Sequence, residues 1–313
     1  PAPGTASSGG PILLRSRVYE IDSAVSIPCA LSMRGQGWEE QMTLGGGSWL
    51  HITSALGTNA SAFSASTTFA RASQFSDFAV TEDHPTPSIT AGTAWTPTAY
   101  QPVFSLNGVG AAVFFHHILW DGVYRGVQSV GAGRIELDGM YSDAFWYLVR
   151  IDGSEDVDRI RNVHNWPYWS NSTASGSATT PSMTTAQQAN VSAWRVANTN
   201  VIVLGRADTP FLDEIFGIGV KSTIQFTTTG TGNTGYATKV HIGRLSCDKS
   251  LYCISVDGGV TNTSAIIDQL DWQGEDPTAQ GTAKSGGAAL IINGAGLFQI
   301  GAVHGEFIGS ALF

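Results

Sequence analysis

Short apolar runs, each closed by Gly, Asn or Asp, recur along the chain with almost no helical periodicity. Short runs rich in β-branched and aromatic residues are typical of β-strands. Examples are AAVFFHHILW (111–120), FWYLVRI (145–151), TKVHIGRL (238–245) and LFQIGAV (297–303). The best helical candidate is TAQQANVSAWRVAN (185–198). The pattern therefore predicts an all-β protein.

The apolar positions also repeat in register. One column aligns Ile160, Ile242, Ile267 and Ile300, with Val163, Leu245, Leu270 and Val303 three positions later. A second column aligns Ile151, Val256 and Ile292, each followed by Asp or Asn and then Gly. A period of roughly 22–25 residues with variable insertions is typical of a β-solenoid, in which equivalent strands of successive coils pair in parallel.

The composition excludes several classes of protein. Only 13 % of residues are charged, against about 25 % in an average soluble domain, and Gly numbers 37. Such a chain is too apolar to be disordered and too poor in charge for a coiled coil. With 16 Lys and Arg against 25 Asp and Glu the net charge is −9, which disfavours nucleic-acid binding. The sequence contains no apolar run of about 18 residues, so it predicts no membrane insertion.

The cysteines and the known catalytic motifs give little chemistry. Cys29, Cys247 and Cys253 are an odd number and are expected to be small buried hydrophobes; Cys247 and Cys253 pair only if the intervening loop folds back. The chain has no G-x-S-x-G elbow, P-loop, H-E-x-x-H or CxxC motif. The sequence therefore predicts no cofactor and singles out no metal site.

Two segments resemble a known superfamily. The strand-like VYEIDSAVSIP (18–28) is followed by the G-x-G turn of MRGQGWE (33–39), and FWYLVRIDGSEDVDRIRNVHNWPYW (145–169) looks like later coils. In these features the chain resembles, over residues 11–313, the pectate-lyase-like superfamily that includes phage tailspikes. The resemblance implies a single-stranded right-handed parallel β-helix with loop excursions.

This interpretation divides the chain into a linker or fragment start and one β-helix domain. The expected parts are a linker (1–10), N-terminal capping coils (about 11–52), a loop-rich part (53–102) and main coils (103–313). Segments rich in Ser, Thr, Ala and Gly are expected to form loops outside the coils. Loops of this kind on a solenoid often border a binding groove. They are 53–73, 84–102 and 170–190.

Acidic residues cluster between positions 136 and 158, just before a group of aromatic residues. Sugars stack on aromatic rings, and paired carboxylates handle protons at a glycosidic bond. The candidate catalytic residues are Glu136, Asp138, Asp143 and Asp158. The candidate substrate-binding residues are His164, Trp166, Tyr168 and Trp169, with Trp166, Tyr168 and Trp169 at least partly exposed.

A register argument favours Asp138. If Leu137 is equivalent to Val163, Glu136 and Asp138 point outward, and Asp138 lies beside His164 on the next coil, about 4.8 Å away. The alternative is that these acids solvate turns or pair with arginines, namely Arg134, Arg150, Arg159 and Arg161. Further candidate acids are Asp208, Asp213, Glu214 and Asp271.

The resemblance implies a tailspike-like protein that binds and cleaves a bacterial surface polysaccharide. By resemblance alone it would be a homotrimer in a virion tail or extracellular setting. Two alternatives remain open at this stage. One is a non-catalytic adhesin or structural spike; the other is a polysaccharide lyase, which needs a base and a cation to neutralise a uronate.

Overall fold

The computed structural model describes residues 10–39, 46–170, 183–228, 235–274 and 287–306. Strand accounts for 55 % and helix for 7 % of it, which confirms the all-β prediction. The strands are β1 (Ile12–Leu13), β2 (Arg17–Ile21), β3 (Val25–Ser26), β4 (Ser32–Arg34), β5 (Ser48–Ile52), β6 (Phe63–Ala65), β7 (Gln74–Glu82), β8 (Phe104–Asp121), β9 (Arg125–Ser142), β10 (Tyr147–Asp152), β11 (Arg159–Asn165), β12 (Asn200–Leu204), β13 (Phe211–Ile218), β14 (Ser222–Phe226), β15 (Val240–Asp248), β16 (Tyr252–Val256), β17 (Thr263–Gln273), β18 (Ala288–Ile292) and β19 (Gly296–Glu306). The α-helix α1 (Thr185–Asn198) coincides with the segment predicted to be helical, and 3₁₀ turns lie at Ser54–Leu56 and Thr68–Ala70.

The strands pair in parallel and coil around one core. Stack A runs in the order β3, β6, β8, β9, β10, β12, β14, β16, β18. Stack B runs in the order β1, β4, β7, β8, β9, β11, β13, β15, β17, β19, and β2 and β5 pair onto the end of β7. The long strands β8 and β9 belong to both stacks. This architecture is a parallel β-helix, as the repeats predicted.

The predicted columns are confirmed by the strand register. In stack B, Ile242 pairs with Ile267 and then Ile300, and Leu245 pairs with Leu270 and then Val303. In stack A, Val256 pairs with Ile292, and Leu204 and Phe226 connect it to Ile151. Burial of the fully covered members, such as Leu245 and Leu270, contributes about 1.5–3 kcal/mol for each side chain. The apolar columns therefore hold the coils together.

In the coils from β7 to β13, a left-handed residue explains why the inward positions of stack B lie three residues apart. Asp77, His117, Gly139, Asn162 and Glu214 occupy equivalent positions and have φ between 51° and 70°. A single residue with positive φ interrupts the alternation of a strand. Inward side chains therefore stand two positions before and one position after each bend, as Leu137 and Met140 do in β9, and both are buried.

Two chain segments that leave the coils pack on each other. The first turn of α1 has a capping box, in which Thr184 Oγ1 accepts from Gln187 N and Gln187 Oε1 accepts from Thr184 N. The Gln187 side chain donates to Pro87 O, and the Asn190 side chain donates to Ser88 O. These bonds tie α1 to the 84–102 segment. Residues 1–9 of the expected linker and 171–182 of the third expected excursion lie outside the described residues.

The cysteine prediction is partly wrong. Cys247 and Cys253 form a disulfide, because the chain reverses between β15 and β16 and brings their Cα atoms to 5.5 Å. Both are also fully buried, as expected, and Cys29 is free and half-buried. Among the helices of the described residues, none has the length and apolar character needed to cross a membrane.

The register predicts how two substitutions on β17 differ. Leu270→Asp places an unpaired charge in the core and should lower the free energy of unfolding by at least about 3 kcal/mol. Ile266→Asp is the matched control, because Ile266 is half exposed on the outside of the same strand. Denaturant unfolding of both variants checks this, and a Leu270→Asp protein as stable as the control would contradict the column.

Candidate functional site

Glu136 and Asp138 stand on the outside of stack B, on either side of the buried Leu137. Their side chains are 19 % and 25 % exposed, so both can meet a ligand. Arg161, on the next coil, lies between them: its Nη2 is 3.0 Å from Glu136 Oε1 and its Nε is 3.0 Å from Asp138 Oδ2. Asn162 Nδ2 donates to Asp138 Oδ1 over 2.6 Å. Two carboxylates are thus held side by side at a fixed spacing.

The predicted neighbour of Asp138 is wrong. Leu137 pairs with Ile160 rather than Val163, so Asp138 lies beside Arg161, and His164 lies beside Tyr141. The three-residue spacing of the inward positions is the reason, because Leu137 fits either column. On the outside of the following coils, His164 is level with Phe216, and the row continues through Ser246 to Asp271 and His304.

His116 joins the carboxylates from the preceding coil. It pairs with Asp138 in the register, and its ring nitrogen and the oxygens of Glu136 and Asp138 lie within 4.8 Å of one another. Three such groups could hold a divalent cation, but the Arg161 guanidinium already contacts both carboxylates. The cation of this cluster is therefore Arg161. The positive φ of His117 interrupts the alternation of the strand and leaves both His116 and His117 at the surface.

Aromatic side chains form a row on the outside of stack B beside the carboxylates. This aromatic ladder consists of Trp38, Tyr141, His164, Trp166 and Phe216, all half-buried. Trp38 contacts Tyr141 edge-on at 4.9 Å between ring centroids, and His164 stacks on Phe216 at 5.2 Å and on Trp166 at 5.9 Å. Beyond Phe216 the row continues into a groove of about 490 Å³ lined by Arg244, Ser246 and Asp271. The ladder spans several coils, as an extended ligand requires.

Two of the four predicted binding residues are buried instead of exposed. Trp169 is 3 % exposed, because Trp95 stacks on it at 5.6 Å and Phe145 meets it edge-on. Tyr168 is 4 % exposed, and its hydroxyl lies 2.6 Å from His164 Nδ1. Tyr168 therefore supports the ladder from beneath, whereas Trp169 packs in a separate aromatic cluster with Trp95 and Phe145. His164 and Trp166 keep partly exposed rings.

Asp143 is a buried ion-pair partner rather than a surface acid. Its Oδ1 lies 2.9 Å from Arg195 Nε of α1, and its Oδ2 accepts from Trp169 N. Burial raises the pKa of Asp143 above its ordinary value, and Arg195 and the Trp169 N–H oppose that shift. The carboxylate holds α1 and the Trp169 segment against the coils, which gives it a structural role.

Asp158 is also buried, beneath the turn before β11. Its Oδ1 accepts from Ile135 N over 2.9 Å. Burial raises the pKa of Asp158 to about 6, although the hydrogen bonds from Ser154 and Ile135 oppose the shift. With no exposed surface it joins two coils and does not line the ladder.

The remaining candidate acids are divided among several places. Asp271 lines the 490 Å³ groove, where it accepts from Ser246 Oγ and Gln269 Nε2. Asp213 Oδ1 accepts from the backbone N–H groups of Glu214 and Arg244, so it stabilises the bend. Asp208 lies 3.8 Å from Arg206. Of these, Asp271 alone continues the row that begins at Tyr141.

Comparison with known proteins adds one structural similarity. No protein-family model and no curated protein matches the chain. The chain is similar to a solved structure titled the catalytic domain of GH87 α-1,3-glucanase in complex with nigerose, with a TM-score of 0.43 and 10 % sequence identity. The match covers 94 % of this chain and 61 % of that one, so the chain spans less than two thirds of that structure.

Sequence reasoning missed several members of this surface. Trp38 and Phe216 lie far in sequence from the acidic region, and only the coil register brings them next to Tyr141 and His164. The role of Arg161 was detectable. Phe115, Leu137 and Ile160 follow one another at intervals of 22 and 23 residues, so a constant coil length would have aligned Asp138 with Arg161.

The buried ion pair between Asp143 and Arg195 predicts that removing the Asp143 charge lowers the stability of the protein. Asp143→Asn leaves the fully buried Arg195 without its charge partner and should lower the free energy of unfolding by about 3–5 kcal/mol. Glu155→Gln is the control, because its surface pair with Arg206 should contribute less than about 1 kcal/mol. Thermal and denaturant unfolding distinguish the two, and equal stability would contradict the structural role.

The raised pKa of Asp158 predicts a pH-dependent difference. The pKa of about 6 in the folded state lies above the ordinary aspartate pKa of 3.8, so the folded state binds the proton more tightly than the unfolded state. That stabilisation is present below about pH 4 and is lost as the pH rises through 6. The Asn side chain of Asp158→Asn does not titrate. Between pH 4 and pH 7, the free energy of unfolding of this variant should therefore rise by up to about 3 kcal/mol relative to that of the wild type.

Unfolding measured at both pH values checks this, with Glu20→Gln as an exposed control. Parallel pH profiles of the wild type and Asp158→Asn would refute the shift.

Proposed function

We propose that this chain binds a polysaccharide along the aromatic ladder and hydrolyses it at Glu136 and Asp138, as a glycoside hydrolase. The observation that carries the proposal is the juxtaposition of a row of half-buried rings with two partly exposed carboxylates on one face of the β-helix. Rings supply flat apolar surface for sugars, and the carboxyl pair supplies the proton chemistry.

The spacing of the two acids suits a retaining mechanism. Their nearest oxygens lie within 4.8 Å, close to the ~5 Å separation of a retaining pair and below the ~6.5–9.5 Å of an inverting pair. One carboxylate would attack the anomeric carbon, and the other would protonate the leaving oxygen. Arg161 would position both, and His116 lies close enough to exchange a proton with them.

The proposed setting follows from the sequence resemblance. The chain would act as a phage tailspike-like depolymerase of a bacterial surface polysaccharide, in a virion tail or outside cells, as a homotrimer. Exposed apolar side chains on stack B, including Phe211 and Ile266, supply surface that other copies would cover. Light scattering of the purified protein tests the trimer.

The decisive experiment assays depolymerisation of bacterial capsule and O-antigen preparations. Glu136→Gln and Asp138→Asn should each lower turnover by about 10²–10⁴-fold with little change in binding, since each removes a proton-transfer or nucleophilic group. Glu155→Gln is the control at a distant surface pair.

The product identifies the reaction class. New reducing ends indicate hydrolysis, whereas ultraviolet absorbance of an unsaturated product indicates a lyase. Binding without product indicates an adhesin. Cleavage by the wild type that persists at normal rates in both variants would refute these catalytic assignments and direct attention to the groove at Asp271.

A further inference from the structure

A second cleft lies on the outside of stack A, away from the ladder and its carboxylates. This α1 cleft has a volume of about 310 Å³ and is lined by Trp146, Tyr147, Arg150, Trp194, Asn198 and Lys221, among others. Its floor is the outward face of β10, β12 and β14, and its wall is the last turn of α1. The volume is at the lower end of small-molecule pockets.

The cleft concentrates positive charge in a protein with a net charge of −9. Arg150 and Lys221 line it, and Arg125 lies 4.8 Å above the Trp146 ring. No Asp or Glu is among the lining residues that the structure describes. Lys221 has no ion-pair partner in the described part of the chain, whereas Arg150 lies 3.4 Å from the buried Asp152. The cleft therefore presents a net positive surface.

The other lining groups suit a sugar. Trp146, which is 41 % exposed, and the half-buried Trp194 form ring walls, and the Trp194 indole donates to Phe145 O, which fixes its ring. Asn198 and Gln225 place amide groups at the surface of the cleft, and amides both donate to and accept from hydroxyl groups. The Gln225 amide is oriented by Asp257, to which Nε2 donates over 3.0 Å. Aromatic walls, amides and cations together match a carboxylated saccharide.

We infer that the α1 cleft is a non-catalytic binding site for an acidic saccharide, with Lys221 and Arg150 meeting the sugar carboxylate and Trp194 and Trp146 contacting the sugar ring. The carboxylate groups that a hydrolytic centre needs are missing from its described lining. The site therefore holds glycan while chemistry takes place elsewhere. This inference does not depend on whether the residues beside the ladder are catalytic.

The test uses two probes that differ only in a carboxylate, cellobiouronic acid and cellobiose, titrated into the protein by calorimetry or ligand-observed NMR. The acidic disaccharide should bind more tightly than the neutral one, and added salt should weaken it. Lys221→Gln should weaken binding of the acidic probe about tenfold or more, because a hydrogen bond to a charged group is lost. Lys221→Arg should restore most of it.

Lys239→Gln is the matched control, because it removes the same charge from an exposed residue outside the cleft. Melting curves show that each variant is folded. Equal affinity of the two probes, or unchanged binding in Lys221→Gln, would overturn the inference. Inorganic sulfate that displaces the acidic probe at equal affinity would also overturn it, by showing a simple anion site.

The Glu136→Gln variant separates this site from the proposed catalytic one. Binding of cellobiouronic acid that persists in Glu136→Gln and is lost in Lys221→Gln supports the α1 cleft, whatever the outcome of the depolymerisation assay. The reverse pattern would place the acidic sugar on the ladder and would overturn the inference.

Discussion

The whole molecule depends on the parallel register of one inward side chain upon the next. In stack B that register is kept by two apolar columns, and in the coils from β7 to β13 a left-handed residue lies between them, as at Leu137, Gly139 and Met140. A slip of one residue would turn buried side chains outward in every coil. The same constraint fixes the outward rows, so Asp138 meets Arg161, and Tyr141 meets His164.

The sequence could predict the features that arise from local pattern. The recurrence of isoleucine and leucine was enough to place Leu245 beside Leu270, and the apolar spacing of 185–198 was enough for a helix. The apolar pattern alone could not decide the partner of Leu137, because an apolar residue fits either of two columns three residues apart; a constant coil length was the signal that identifies Ile160. Nor could it foresee the burial of Trp169, because Trp95, which covers it, comes from a distant excursion.

Buried polar groups hold the excursions to the coils. His84 accepts from Thr98 N through Nδ1 and faces Gly122 O through Nε2, so it serves as a neutral imidazole, and burial lowers its pKa to about 4. Burial raises the pKa of Glu82, which accepts from Tyr124 N. Together with the Asp143–Arg195 pair, these groups fix the cluster of Trp95, Tyr124, Phe145 and Trp169, against which Trp194 of the α1 cleft packs.

The contacts between α1 and the 84–102 segment have a kinetic consequence. Most contacts in a solenoid join neighbouring coils, but Gln187 reaches Pro87 and Asn190 reaches Ser88 across 100 and 102 positions. Because the coils between these residues must fold before the two ends can meet, we expect these contacts to form late in folding. Interactions that form after the folding transition state act mainly by slowing unfolding. The hydrogen bonds between α1 and the 84–102 segment therefore slow the unfolding of the β-helix more than they accelerate its folding.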